Sequence, residues 1–255
     1  DMDWPTAQYR GEIDFLDSQL AVVFEHERFA ESVIAFSADH GECFGAHGVY
    51  WDHAGLYPDT VHVPLILSWP GGPRGERTQA PARQLDLGRT LLNLAGLEGV
   101  TFPGRDLRWT LDAPGDERPR FALSSHGYSA SLAKDGWFCV LNLRGHQNAV
   151  ETRPFVAHSL ELYHRDEDLA CTRDVVDDHP DRARAMRAEL LAWLAAGDGA
   201  GLGSVTGVSS ERRAELAALG YTAEENARQS GEAWFPAVCT QGQGGSACGW
   251  CARFE

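Results

Sequence analysis

The order of apolar and polar positions divides the chain into two differently patterned parts. In the first, Ile13, Leu16, Leu20, Val23 and Phe24 recur at helical spacing within TAQYRGEIDFLDSQLAVVFEHE, which predicts an amphipathic helix with one buried stripe. SVIAFSA, ending at Ala38, is a short apolar run rich in β-formers. VPLILSW is a second run, and its lack of alternation predicts a strand buried on both faces. Between the two runs lies a polar, Gly-rich loop. WPGGPRGERTQAPAR reads as turn and loop. LDLGRTLLNLAG reads as a helix with Leu87, Leu91 and Leu94 inward, stopped at Gly96. Helix, strand, loop, strand, helix is the order of an α/β sheet.

From about residue 115 the pattern changes. RFALSS, YSASLAK, GWFCVLNL and SLELYH are short strand-like runs separated by turn signals such as Lys134-Asp135-Gly136. HPDRARAMRAELLAWLAA places Met186, Leu190, Trp193 and Leu194 on one helical side. These elements predict a small antiparallel sheet with a helix, an α+β unit. GDGAGLGSVTG has linker composition, and SSERRAELAALGY begins with a Ser cap and predicts a short helix. The expected organisation is an α/β part over 1–114, a small α+β subdomain over 115–221 and a disordered tail over 222–255.

Composition narrows the function classes. The 255 residues carry 43% hydrophobic and 23% charged side chains, ordinary for a chain that buries a core. A net charge of −15 excludes a broad basic surface for nucleic acid, but not an anionic small substrate held by local positive charge or by a metal. No apolar run reaches the length of a membrane span. The opening DMDWPTAQYRGEID carries no signal-peptide pattern; any export signal would precede residue 1, so the compartment stays open. Six cysteines show no disulfide framework by their spacing. Three fall in CTQGQGGSACGWC, with one C-x2-C, but the tail offers no His as a fourth zinc ligand. These are read as incidental thiols on a flexible tail.

The chemistry concentrates in SADHGECFGAHGVYWDHAGLYPDTVHVPLILSWPGG, which holds His40, His47, His53 and His62. Asp39 and His40 follow a predicted strand, where ligands sit in α/β sheets. A carboxylate and an imidazole can both coordinate a divalent cation, although two ligands do not complete a site. Gly41, Gly45 and Gly48 allow a tight turn beside whatever is bound. His47 and His53 could hold a charged oxygen or pass a proton. Each histidine could equally be a surface or hydrogen-bonded structural residue, and spacing alone leaves both readings open.

This block closely resembles the signature region of the sulfatase family, in the alkaline phosphatase-like superfamily. There a strand ends in Ser-Asp-His-Gly or Ser-Asp-Asn-Gly, and a Gly-rich loop leads to a VPLI strand and a PG turn. YRGEIDFLDSQLAVVFE resembles the family's helix before that strand, QLDLGRTLLNLAGL its helix after it, and FPGRDL its PG-x-S-L segment. SLELYHRDEDLACTRDVVDDHPDRARAMRAELLAWL is similar to the family's C-terminal stretch, so the resemblance runs from about Gln8 to Tyr221. It implies a partial alkaline-phosphatase-like sheet with flanking helices, and metal-dependent hydrolysis of a sulfate ester. Asp39 and His40 match two metal ligands. His53, eleven residues before Pro64, matches a position often held by a Lys that contacts sulfate oxygens and the leaving group. His53 is thus a catalytic and substrate-binding candidate, His47 a further substrate-binding one, and His62 a structural residue. The implied cofactors are one divalent ion, Ca2+ with Mn2+ or Mg2+ as alternatives, and a formylglycine nucleophile. The implied partner is a small sulfate ester or sulfated glycan.

No Cys or Ser in this chain begins the family's Cys/Ser-x-Pro-x-Arg nucleophile motif, and the paired N-terminal Asp ligands are absent. The chain therefore resembles the C-terminal half of a sulfatase, inactive alone, and its first residue is not Met. Two alternatives remain: a phosphodiesterase or phosphonate monoester hydrolase of the same superfamily, and a non-catalytic relic or accessory subunit.

Overall fold

A computed structural model describes residues 3–110, 118–124, 127–145, 152, 154–198, 235–236 and 239–254. The fold is mixed α/β and divides into two compact units. One comprises Asp1–Phe44 and Val61–Arg118; the other comprises Gly45–Thr60 and Pro119–Glu255.

In the first unit the predicted helix is present as α1 (Asp3–Phe24). The two apolar runs form β1 (Ile34–Ser37) and β4 (Leu65–Ser68), with β2 (Cys43–Phe44), β3 (Tyr50–Asp52) and the one-turn α2 (Pro58–Val61) in the chain between them. β1 and β4 pair antiparallel, Ile34 opposite Ser68 and Ser37 opposite Leu65. Ser37 Oγ adds a hydrogen bond to the Pro64 carbonyl at 2.9 Å.

The structure corrects several expectations in this unit. The expected sheet is, among the described residues, a two-stranded antiparallel pair. The VPLI strand is not buried on both faces: Leu65 is 38% and Ile66 61% exposed. Likewise the stripe of α1 is only partly covered, with Ile13, Leu16, Val23 and Phe24 all exposed. The periodicity is that of buried elements, but a two-stranded ribbon has too little surface to cover them.

Helix α3 (Gln84–Leu94) is held by polar contacts as much as by apolar ones. Asp86, only 1% exposed, accepts from the Arg83 backbone N–H at 3.0 Å and pairs with its guanidinium at 2.8 Å. It also accepts from the Arg105 N–H at 2.9 Å. Thr90 Oγ1 accepts from the Leu107 N–H at 2.8 Å, and Asn93 donates to Asp106 at 2.9 Å. The FPGRDL segment is thereby laid along α3. Leu87 and Leu94 are half-buried, whereas Leu91 is exposed.

The second unit follows its sequence pattern closely. β5 (Arg120–Leu123), β6 (Ser129–Lys134), β7 (Trp137–Asn142) and β8 (Leu160–His164) form an antiparallel meander in chain order. The β6–β7 reversal uses Asp135 and Gly136, both at positive φ (50° and 76°), the geometry that Asp-Gly favours in tight hairpins. α4 (Pro180–Asp198) covers one face and places Met186, Leu190 and Leu194 against Leu132, Leu141, Leu160 and Leu162. Trp193 stacks on Phe121 with centroids 4.8 Å apart.

The stretch expected as a disordered tail differs where it is described. Residues 239–254 carry a turn at Gln243–Gly245 and α5 (Gly249–Phe254), with Cys251 and Phe254 buried. The GDGAGLGSVTG linker beyond Asp198 and the helix predicted in SSERRAELAALGY lie outside the described residues. Among the described residues no helix is long and apolar enough to cross a membrane.

Candidate functional site

Asp39 and His40 follow the end of β1 in the first unit, as their sequence position predicts. Asp39 Oδ1 accepts the His40 backbone N–H at 3.0 Å. The His40 Nδ1 lies 2.8 Å from the Gly41 carbonyl, so that nitrogen is the donor, and a neutral imidazole held this way has its lone pair on Nε2. Nε2 stands 3.8 Å from Asp39 Oδ2, with the carboxylate 89% and the imidazole 44% exposed. Two donors about 2.3 Å from one ion span roughly 3.3–3.8 Å, so the pair fits one edge of a divalent-cation shell. A carbonyl orienting a histidine through its other nitrogen is the usual support for such a ligand. Gln84 donates to the Ala38 carbonyl at 2.7 Å and ties this strand end to α3.

His47 and His53 lie in the second unit. His53 is 57% exposed, with Nδ1 3.9 Å from Asp52 Oδ1. Asp52 in turn accepts the Ala54 N–H at 3.0 Å. His47 is more enclosed: its ring stacks flat on Tyr57, centroids 3.7 Å apart, and Nε2 lies 3.3 Å from the Ala170 carbonyl. It borders a cavity of about 230 Å3 lined also by Glu161, Tyr163, Thr172 and Asp174. His62, read as structural, is exposed.

Beneath that cavity lies a network with no signature in the sequence. The buried Glu161 carboxylate accepts from Tyr57 Oη at 2.8 Å and Tyr163 Oη at 2.6 Å. Burial, and then the Glu161 charge, push the Tyr163 phenol well above its ordinary range. Burial also raises the Asp174 carboxyl, although it accepts from the Leu162 and Val176 N–H groups at 3.0 Å.

A second cluster corrects the reading of the tail cysteines. Among the described residues, His158, Cys239, Cys248 and Cys251 form the group of metal-ligating types whose donor atoms all lie within 4.8 Å of one another. The missing histidine comes from the turn just before β8, 81 residues before Cys239. The C-x2-C pair was the available signal; nothing local marked His158.

Residues 6–97 match the family model described as Sulfatase. This match places residues 6–97, rather than the whole chain, with the sulfatase family. An Escherichia coli K12 protein named an uncharacterized sulfatase, YidJ, is 34% identical over 100 residues, covering 37% of this chain and 20% of that protein. The chain thus spans about a fifth of this curated relative. Among solved structures, phosphonate monoester hydrolase of Agrobacterium radiobacter aligns with a TM-score of 0.56 at 20% identity, over 73% of this chain and 40% of that one. A protein solved with its substrate D-glucosamine-2-N,6-O-disulfate aligns at TM-score 0.53 and 18% identity, over 70% and 37%. At these identities the alignments show a shared fold. This sulfatase segment therefore carries the Asp39-His40 pair at the strand end expected from its signature block.

Proposed function

We propose that this chain is part of a sulfuric ester hydrolase acting on a sulfate ester, a sulfated sugar being the favoured class. The observation that carries the reading is the Asp39-His40 pair, oriented by Gly41 and Gln84, inside the segment that matches the family. Asp39 and His40 would hold a divalent cation, Ca2+ in the first instance, which when bound supplies positive charge to the ester's sulfate oxygens. His53 is exposed and beside Asp52, so a ring N–H can donate to a sulfate oxygen or the leaving oxygen. His47, with its ring fixed by Tyr57, is a second donor to the anion. The sulfated sugar is supported by the structural relative solved with its substrate D-glucosamine-2-N,6-O-disulfate.

The test is hydrolysis of p-nitrophenyl sulfate against bis-p-nitrophenyl phosphate by the natural gene product containing these residues. Sulfate ester turnover should dominate. Asp39→Ala should lower it by about 10²-fold or more, the usual loss when one group that stabilises transition-state charge is removed. Preference for the phosphodiester, or an Asp39→Ala enzyme with unchanged rate, overturns the reading. The phosphoryl alternative is the one favoured by the fold shared with phosphonate monoester hydrolase. The 255 residues alone should show no turnover, because none of their Cys or Ser residues begins a Cys/Ser-x-Pro-x-Arg motif.

A further inference from the structure

We propose that His158, Cys239, Cys248 and Cys251 bind one zinc ion in a closed, structural Cys3His site, separate from any metal held by Asp39 and His40. The geometry is that of ligands converging on a common centre. Cys239, Cys248 and Cys251 Sγ lie 3.3, 3.4 and 3.4 Å from the same atom, His158 Nδ1. A neutral imidazole nitrogen has one lone pair or one proton, so it can make one hydrogen bond of this kind, not three. With zinc about 2.3 Å from sulfur and about 2.0–2.1 Å from nitrogen, a tetrahedron has S···N edges of roughly 3.6 Å. The observed edges match that within a few tenths of an ångström. None of the sulfurs is in a disulfide.

The surroundings suit a dry zinc site. His158, Cys239 and Cys251 are 1, 5 and 2% exposed, leaving only Cys248 partly open. The turn through Gln243–Gly245 folds the chain back, and the Cys248 N–H points at Cys239 Sγ from 3.5 Å. His158 sits at φ 66°, in a reversal where its N–H bonds the Asn142 carbonyl at 2.6 Å. Zinc with three thiolates carries a net charge of −1. Arg187 of α4 supplies the opposite charge, its guanidinium 3.4 Å from Cys251 Sγ and stacked over Phe235 and Phe254. Phe235 also packs on the His158 ring at 4.6 Å. Four protein ligands leave no open coordination position, so the ion would serve structure, not catalysis. Its effect would be to clamp residues 239–254 to the β7–β8 end of the sheet and to α4.

The experiment uses the 255-residue chain purified under reducing conditions and analysed for metals by plasma mass spectrometry. One tightly held zinc per chain is expected, and Asp39→Ala should retain it in full. Replacement by Co2+ should give the intense visible bands of a tetrahedral thiolate site. Cys248→Ser, at the most exposed ligand, should weaken zinc binding by about 100-fold or more, beyond the 10–100-fold typical of losing an outer-shell partner. Chelation should raise amide exchange across 239–254 and around His158 while β5–β7 stay protected. Absence of zinc from reduced, zinc-supplied protein, or Co2+ bound without tetrahedral thiolate bands, would overturn the proposal. So would unchanged affinity in Cys248→Ser. The Co2+ spectrum of the unsubstituted chain decides the matter even if that variant fails to fold.

Discussion

At the scale of single residues, the polar anchors of α3 carry the sharpest consequences. Burial pushes the Asp86 carboxyl up, but hydrogen bonds from the Arg83 side chain and the Arg105 backbone, with the Arg83 charge, outweigh it and hold it below its ordinary 3.8. A depressed folded-state pKa stabilises the fold above the unfolded value and loses that contribution as pH falls through the folded one. Asp86→Ala should therefore cost about 3–5 kcal/mol near neutral pH, as expected for breaking a buried ion pair. The deficit relative to the unsubstituted chain should shrink below pH ~4, the unfolded carboxyl's range. Urea melts at a series of pH values check both points, and a pH-independent deficit would refute the charge argument. Gly104, at φ 105°, presents its Cα directly to the Leu85 carbonyl. Gly104→Ala should destabilise by more than about 1 kcal/mol through strain and collision, seen as a lower urea midpoint at constant slope. Residue-scale chemistry was legible where it is contiguous. Asp39 and His40 are neighbours in the chain, so their strand-end position could be read directly. His158 is not: its partners arrive from 81, 90 and 93 residues away.

At the scale of elements, the second unit was the more legible. β5–β8 each announce themselves by a short apolar run, and Asp135-Gly136 fixes a reversal locally, so the meander needs no long-range information. The loop over 45–60 was harder, because what holds it is a contact between Tyr57 and Glu161, 104 residues apart. Tyr57 is fully buried and stacks under His47. Tyr57→Phe removes one hydrogen bond to a buried carboxylate and should cost about 1.5–3 kcal/mol. It should also loosen residues 45–60 before the sheet opens, which amide exchange resolves. Equal exchange in the loop and in β6–β7 would show that the phenol does not fasten that element.

At the scale of the whole molecule, periodicity told which faces are apolar but not whether anything covers them. α1 shows Trp4, Ile13, Phe15, Leu16 and Val22 to solvent, and β4 shows Ile66. Large apolar side chains exposed in such number favour association. The 255-residue chain should therefore bind a polarity-sensitive dye and self-associate in light scattering despite its charge of −15. Ile66→Lys should reduce both signals, and an unchanged signal would place the sticky surface elsewhere. The Cys3His cluster has a topological consequence as well. A zinc ion joining residue 158 to residue 239 closes the chain between them, β8 and α4 included, into a ring spanning 81 peptide bonds. A single protease cut anywhere in that ring would leave the two fragments coordinated to the same ion. They would travel as one species until the metal is withdrawn.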